Sequence, residues 1–408
     1  MRIAFVDPMF VWPPPGGAPV DLTYAMQGVA QAGHDVRLFL PDRDRWWGER
    51  NEAELPVPAT RVPFDAAGPT RRTIGPRFRE AVDAWRPDVV HLGFSFFLKP
   101  CLAAALAHHP LVLHYYAYEL TCPRDYRIYL NGRTCPNNYL RTPDVCRRCT
   151  FEALGPDLRH GEPTLYAAEY LDARAYTPGY HRAVIAMIQA ARAVIVNSPV
   201  EAARLAGLHP DVRMIPPGVD TDAFPAAPFP APEAGRPKAV LMAGRAEDPA
   251  KGVDVLRQAA EALAEQRRDF EVRATWRHEE RNTPWFRAVG WCTGEALRRQ
   301  YAAAWCCVMP SLWDEPFGLV AAEAMATGRP VIASRVGGLG ELVEDGVTGL
   351  LFERGDAPGL RDCLDRLLDD AELCARMGRA ARGRIERQYA WPRIVERCYL
   401  PLFEEVVR

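Results

Sequence analysis

Two cations and two carboxylates in the second half of the chain have types and spacing that suit a phosphorylated sugar. Arg245 and Lys251 stand in Gly244-Arg245-Ala246-Glu247-Asp248-Pro249-Ala250-Lys251-Gly252, after an apolar run and before a helical pattern. A guanidinium grips an oxyanion bidentately and an ammonium acts as a point charge. Together they would clamp a diphosphate and stabilise the charge that grows on it as a glycosyl bond breaks. Glu315 and Glu323 follow in the stretch from Cys306 to Glu323. Pro310-Ser311 ends the buried run Cys306–Met309, so Glu315 falls in a loop and Glu323 inside the next helix. The amides near Phe317, Gly318 and Leu319 open that helix and carry partial positive charge, which receives an anion. Carboxylates beside it would accept hydrogen bonds from sugar hydroxyls. Taken singly, each feature also fits a solvated surface.

The first half offers softer signals. Gly16-Gly17 lies between a strand and a helix, where a diphosphate could approach the backbone, although on its own the pair reads first as a flexible turn. His114 ends the strand Leu111–Tyr115, and His91 lies in the strand Asp88–Leu92. Ligands bind at the carboxyl ends of such strands, so a neutral His114 would bond a sugar hydroxyl; the alternative is a buried, satisfied imidazole. Cys122, Cys135, Cys146 and Cys149 fall in an irregular stretch from about 117 to 163, the last two as C-x-x-C. Four thiolates suit a structural zinc or an iron–sulfur cluster, with disulfides and free thiols as the other readings. Asp42-Arg43-Asp44 has the form of a metal motif, but it follows Pro41 and reads as a solvated loop.

These residues need two α/β scaffolds to position them. A chain of 408 residues is long enough for two cores. Hydrophobic content of 48% and charged content of 25% are globular values. A net charge of -2 argues against a dominant nucleic-acid role. Met1–Val6 is one short strand stopped by Asp7-Pro8 rather than a secretory leader, and no apolar run is long enough to cross a bilayer. Eleven cysteines without an export signal favour thiols or metal ligands over disulfides. A cytoplasmic location is expected, with the inner face of the membrane as a candidate surface.

Strand, Gly-rich turn, helix and strand from Arg2 to Leu40 form a βαβ unit, and therefore a parallel sheet. Strands follow at Ala193–Val196 and Val212–Ile215, then a Pro- and Ala-rich linker over Phe224–Pro237. A second sheet begins at Lys238–Ala243 and continues with Phe270–Ala274, Ala288–Trp291, Cys306–Met309 and Pro330–Ala333. The Arg-rich face over Arg376–Arg387 reads as solvated.

The segment Glu315-Pro316-Phe317-Gly318-Leu319-Val320, closed by Glu323, resembles the donor-site signature of the family 4 retaining glycosyltransferases. Pro216-Pro217-Gly218-Val219-Asp220 is similar to their interdomain turn, which makes Asp222 structural. Val336-Gly337-Gly338-Leu339-Gly340-Glu341 and Glu344–Leu351 match as well. The resemblance implies a GT-B fold, two Rossmann-like domains with parallel sheets facing a central cleft. The implied boundaries are 1–216, a linker at 217–237, 238–390, and a final helix at 391–408 crossing back to the first domain. It further implies a donor-phosphate loop at Gly16 and Gly17, a base-holding loop at Trp291-Cys292-Thr293, and a sugar contact through Glu315. Glu323 would hold ribose hydroxyls, and no metal would be needed at the donor site. Gly-Arg followed by Lys-Gly at this spacing resembles some mannosyltransferases of the family.

The expected activity is transfer of a sugar from a nucleotide-diphospho-sugar to a lipid-linked sugar, a polysaccharide or a small natural product. Two rival readings are a sugar-nucleotide 2-epimerase and a non-catalytic sugar-nucleotide-binding protein organised by its cysteines. The first lacks a convincing acid–base set; the second conflicts with the presence of both Lys251 and Glu315.

Overall fold

The computed structural model describes residues 1–13, 16–44, 48–49, 55–66, 68–124, 128–130, 132–159, 164–231, 235–276 and 282–408. Two compact units divide the chain. The first contains Met1–Ile128, Pro136–Pro216 and Ile394–Arg408; the second contains Tyr129–Cys135 and Pro217–Arg393.

The first unit is built on seven strands: β1 (Arg2–Val6), β2 (Asp35–Pro41), β3 (Ala59–Val62), β4 (Val89–Leu92), β5 (Leu111–His114), β6 (Ala193–Val196) and β7 (Val212–Met214). They pair in parallel in the order β7-β6-β5-β4-β1-β2-β3. Parallel sheets are covered on both faces, so their strands read as unbroken apolar runs. The segments VVHL, LVLH and AVIV are buried at every position. Prolines and hydroxyls start two of the flanking helices. Thr177 caps Pro178–Ala190 and Ser198 caps Pro199–Leu205, each accepting from a first-turn amide. The closing segment Ile394–Arg408 seals this unit. Phe403 meets the Phe5 ring edge-on at 6.1 Å, and Arg213 pairs with Glu405 at 2.6 Å. Gly28 leaves room for Val395, whose Cγ2 would be 2.5 Å from an added Cβ.

The second unit has six parallel strands: β8 (Lys238–Met242), β9 (Phe270–Ala274), β10 (Phe286–Ala288), β11 (Cys306–Met309), β12 (Val331–Ser334) and β13 (Gly349–Phe352). Their order is β10-β9-β8-β11-β12-β13. Strand β10 ends at Ala288, short of the Trp291 expected from sequence, because Gly290 turns the chain at a φ of 74°.

The stretch Phe224–Pro237 is less of a free linker than its composition suggests. Arg329 is fully buried and donates to the carbonyls of Ala227, Pro228, Tyr301 and Ala302. Arg382 donates to the carbonyls of Phe224 and Ala326, and Arg384 to that of Leu342, so the arginine-rich helix is only partly a solvated face. Arg43–Asp44, read as loop, forms a two-residue strand against Gly48–Glu49, while the Asp42 carboxylate accepts from the Phe64 amide at 2.8 Å. Asp220 accepts from the amides of Asp222 and Ala223, which makes that segment the structural turn expected.

Candidate functional site

In an open parallel sheet, a crevice forms where consecutive connections leave to opposite sides, beyond the carboxyl ends of the strands. In the second unit that point lies between β8 and β11. The loop after β8 carries Gly244, Arg245 and the short turn Pro249–Lys251, while the loop after β11 carries Ser311, Trp313 and Glu315. The order of strands therefore brings together residues 64 positions apart, Lys251 and Glu315.

The two loops are stitched at their backbones. Leu312 donates to the Ala250 carbonyl at 2.8 Å. Gly252 has a φ of +75°, and an added Cβ would lie 1.9 Å from the Pro310 carbonyl oxygen, so only glycine permits this approach. Lys251 Nζ then donates to Glu315 Oε1 at 2.6 Å, and Ser311 Oγ donates to the same oxygen at 2.7 Å. The Lys251 ammonium also lies 5.2 Å from the centre of the Trp313 ring. Glu315 is buried, whereas the Lys251 side chain keeps 23% of its exposure. Arg245 remains exposed, its guanidinium 3.9 Å from the Asp248 carboxylate.

A third loop supports Glu315 from behind. Gly338 donates to the Glu315 carbonyl at 2.7 Å, and a Cβ at Gly337 would fall 2.1 Å from that oxygen. Arg354 holds the neighbouring Asp314 and also bonds Thr134, on the hairpin that belongs to this unit. Gly318, with a φ of +104°, opens the helix Leu319–Ala326. The first-turn amides of such a helix lack internal partners. Phe317 is itself core, packed 5.5 Å from the Tyr389 ring. Within the helix, Glu323 Oε2 accepts from Tyr301 at 2.8 Å, and burial pushes its carboxyl up to about 7. Trp291 is 38% exposed in the loop after β10, and Thr293 precedes the helix Gly294–Ala303.

In the first unit, Gly16 precedes the helix Gly17–Gln31 in extended backbone, with no atom within 4 Å of where a Cβ would stand. The sheet reverses between β1 and β4, where Asp7 sits buried and accepts from the amides of Met9 and Phe94, each at 2.9 Å. Burial pushes the Asp7 carboxyl up to about 7.

His114 does not do what its position suggested. It is completely buried; Nε2 lies 3.1 Å from Asn197 Oδ1, and Nδ1 lies 3.3 Å from His91 Nε2. Its ring stacks on Tyr116 at 3.8 Å. Both ring nitrogens are engaged, which leaves none for a sugar hydroxyl. Burial lowers the pKa of both imidazoles, that of His91 to about 3, so each is neutral at pH 7. With one proton per ring, His91 donates to His114, His114 donates to Asn197, and His91 Nδ1 has no hydrogen-bond partner among the described residues.

The cysteines expected to hold a metal are Cys122, Cys135, Cys146 and Cys149. Cys135 belongs to the second unit and the other three cysteines to the first. Cys149 Sγ accepts from Arg124 at 3.2 Å, and Cys146 Sγ lies 3.8 Å from Thr142 Oγ1. Among the described residues, these sulfurs form no group of three within ligand reach of one another.

Sequence reasoning missed Ser311, Trp313 and Tyr301. The first two lie beside Glu315 in Ser311-Leu312-Trp313-Asp314-Glu315 and were available to a local reading. Tyr301 is reached only through the packing of Gly294–Ala303 against its neighbours.

Residues 15–223 match the family model described as Glycosyltransferase Family 4, and residues 237–370 match that of Glycosyl transferases group 1. The chain belongs to glycosyltransferase family 4. Within the family, the D-inositol 3-phosphate glycosyltransferase of Arthrobacter sp. (strain FB24) is 34% identical over 230 residues, 48% of this chain and 52% of that protein. The chain thus spans about half the length of the curated relatives it matches. Sucrose-phosphate synthase from Thermosynechococcus elongatus superposes with a TM-score of 0.66 at 24% identity, covering 99% of each chain. HepE from Anabaena, solved with UDP and glucose, gives 0.65 at 17% identity over 98% of this chain and 99% of its own. These likenesses are of fold: the family's GT-B architecture of two Rossmann-like units.

Proposed function

We propose that this chain is a retaining glycosyltransferase that takes its sugar from a nucleotide-diphospho-sugar and needs no metal at the donor site. The observation that carries the reading is Lys251, held at the reversal point of the second sheet by Glu315, whose same oxygen accepts from Ser311, with Arg245 exposed on the same loop as Lys251. The solved complexes of HepE with UDP and UDP-glucose support a donor of this class.

Arg245 grips the diphosphate bidentately and Lys251 adds a point charge. The amides of Gly318 and Leu319 receive a phosphate oxygen at the helix start. As the bond from the anomeric carbon to the phosphate breaks, charge accumulates where these donors already stand. The acceptor hydroxyl bonds to the anomeric carbon on the face the phosphate leaves, and its proton passes to the departing phosphate oxygen. Glu315 orients Lys251 and contacts the sugar; Glu323 takes the ribose hydroxyls. The acceptor is a lipid-linked sugar, a polysaccharide or a small natural product. Among the described residues, no helix is long and apolar enough to cross a membrane.

The test is a panel of UDP-, GDP-, ADP- and dTDP-sugars, followed by thermal shift. One donor raises the melting temperature through binding to the native state, and Arg245→Ala removes that rise. If no nucleotide sugar binds, the reading fails.

A further inference from the structure

We propose that Asp83, His108 and His109 form a binding site for a first-row divalent transition metal. Asp83 lies near the end of the helix Ile74–Trp85, and the two histidines lie in the turn between the helix Lys99–Leu106 and β5. The turn opens Pro110-Leu111 at the amino edge of the first sheet, the edge opposite its ligand-binding loops.

The geometry is convergent. His108 Nε2 lies 2.8 Å and His109 Nε2 2.7 Å from the same carboxylate oxygen, Asp83 Oδ1. The imidazole rings stand 4.1 Å apart. All three ligand atoms fall within 4.8 Å of one another, and among the described residues no other group of three or more His, Cys, Asp or Glu does so. Metal–nitrogen and metal–oxygen bonds of about 2.0–2.2 Å place neighbouring ligands about 2.9 Å apart around an octahedral ion. Each histidine nitrogen already stands near that separation from Asp83 Oδ1, so an ion can enter with small side-chain rotations. Arg79 Nε holds the other carboxylate oxygen at 3.3 Å, which keeps Oδ1 turned to the histidines.

The chemistry of the ligands sets the ion. Two imidazoles and one carboxylate suit zinc, nickel, cobalt or copper, and serve magnesium and calcium poorly. His108 is exposed and the other two are half-buried, so water completes the shell. Each imidazole must offer Nε2 as a lone pair, with its proton moved to Nδ1. Binding would clip the helix Ile74–Trp85 to the turn before β5 and stabilise the first unit.

Cobalt(II) is the probe, because its spectrum separates imidazole–oxygen ligation from thiolate ligation. The EDTA-treated, dialysed full chain should bind one equivalent saturably, with weak visible bands and no sulfur-to-cobalt charge transfer. At saturation the first unit should melt about 5 °C higher. The double variant His108→Asn, His109→Asn should bind no cobalt while melting as the metal-free parent does. Should it misfold, His108→Ala alone, at an exposed position, should weaken binding at least about tenfold. Magnesium should not compete. Absence of saturable binding, equal binding by these variants, or strong thiolate charge-transfer absorption would each overturn the proposal. The last outcome would assign the ion to the cysteines.

Discussion

Asp21 lies inside the first helix of the first unit, almost wholly buried, and its one described side-chain partner is the Tyr116 hydroxyl, 3.0 Å from Oδ2. Burial pushes its carboxyl from 3.8 up to about 7, and the Tyr116 hydrogen bond offsets this only in part. The native state therefore keeps a proton that the unfolded chain gives up. Stability must fall as pH rises from about 4 to 7, because over that range the native state binds more protons than the unfolded one. Each tenfold difference in proton affinity is worth 1.36 kcal/mol, which makes the full cost about 4 kcal/mol above pH 8. About 2.5 kcal/mol of it accrues between pH 5 and pH 8. Asp21→Asn keeps an acceptor for Tyr116 and removes the titration. Urea unfolding of the two proteins at pH 5 and pH 8, read on the first unit's transition, should show the variant gaining on the parent by about 2.5 kcal/mol. A gap that stays constant with pH would refute the reasoning, as would one that narrows.

Three further outcomes follow from particular contacts. Arg329→Met should cost about 3–5 kcal/mol in denaturant unfolding, because it strands several buried carbonyls that the guanidinium serves. Gly252→Ala forces a Cβ against the Pro310 carbonyl at positive φ; donor affinity should drop at least tenfold, read by calorimetry, alongside a loss of about 1–3 kcal/mol in stability. His114→Gln should lower stability by about 1–3 kcal/mol through the broken contacts to Asn197 and His91, yet leave the donor dissociation constant within about twofold; a large loss of donor binding at unchanged stability would return His114 to the site.

The parallel sheets were legible because their strands are short, β-branched and bounded by Gly, Pro or Asp, as in Arg2–Val6 before Asp7-Pro8. Lys251 and Glu315 were legible for a related reason: each lies in the loop that follows a strand, and topology makes those two strands neighbours. Other features depend on contacts that no local pattern carries. His114 has the right place on its strand, but Asn197 at the end of β6 and Tyr116 two residues on enclose it. Cysteine spacing reports separation along the chain, and Cys135 folds with a different unit from its three companions. Arg329 stands in an ordinary Gly-Arg-Pro turn, and only the packed structure shows it gathering backbone carbonyls from three segments.

The most direct test of the donor site is turnover of the responsive nucleotide sugar by the parent protein and by Lys251→Ala, each in excess EDTA and in excess magnesium. The account predicts equal parental rates in both conditions and a fall of at least a hundredfold in the variant, about 2.7 kcal/mol of lost transition-state stabilisation. A parental activity that requires magnesium, or a variant as active as the parent, would contradict it.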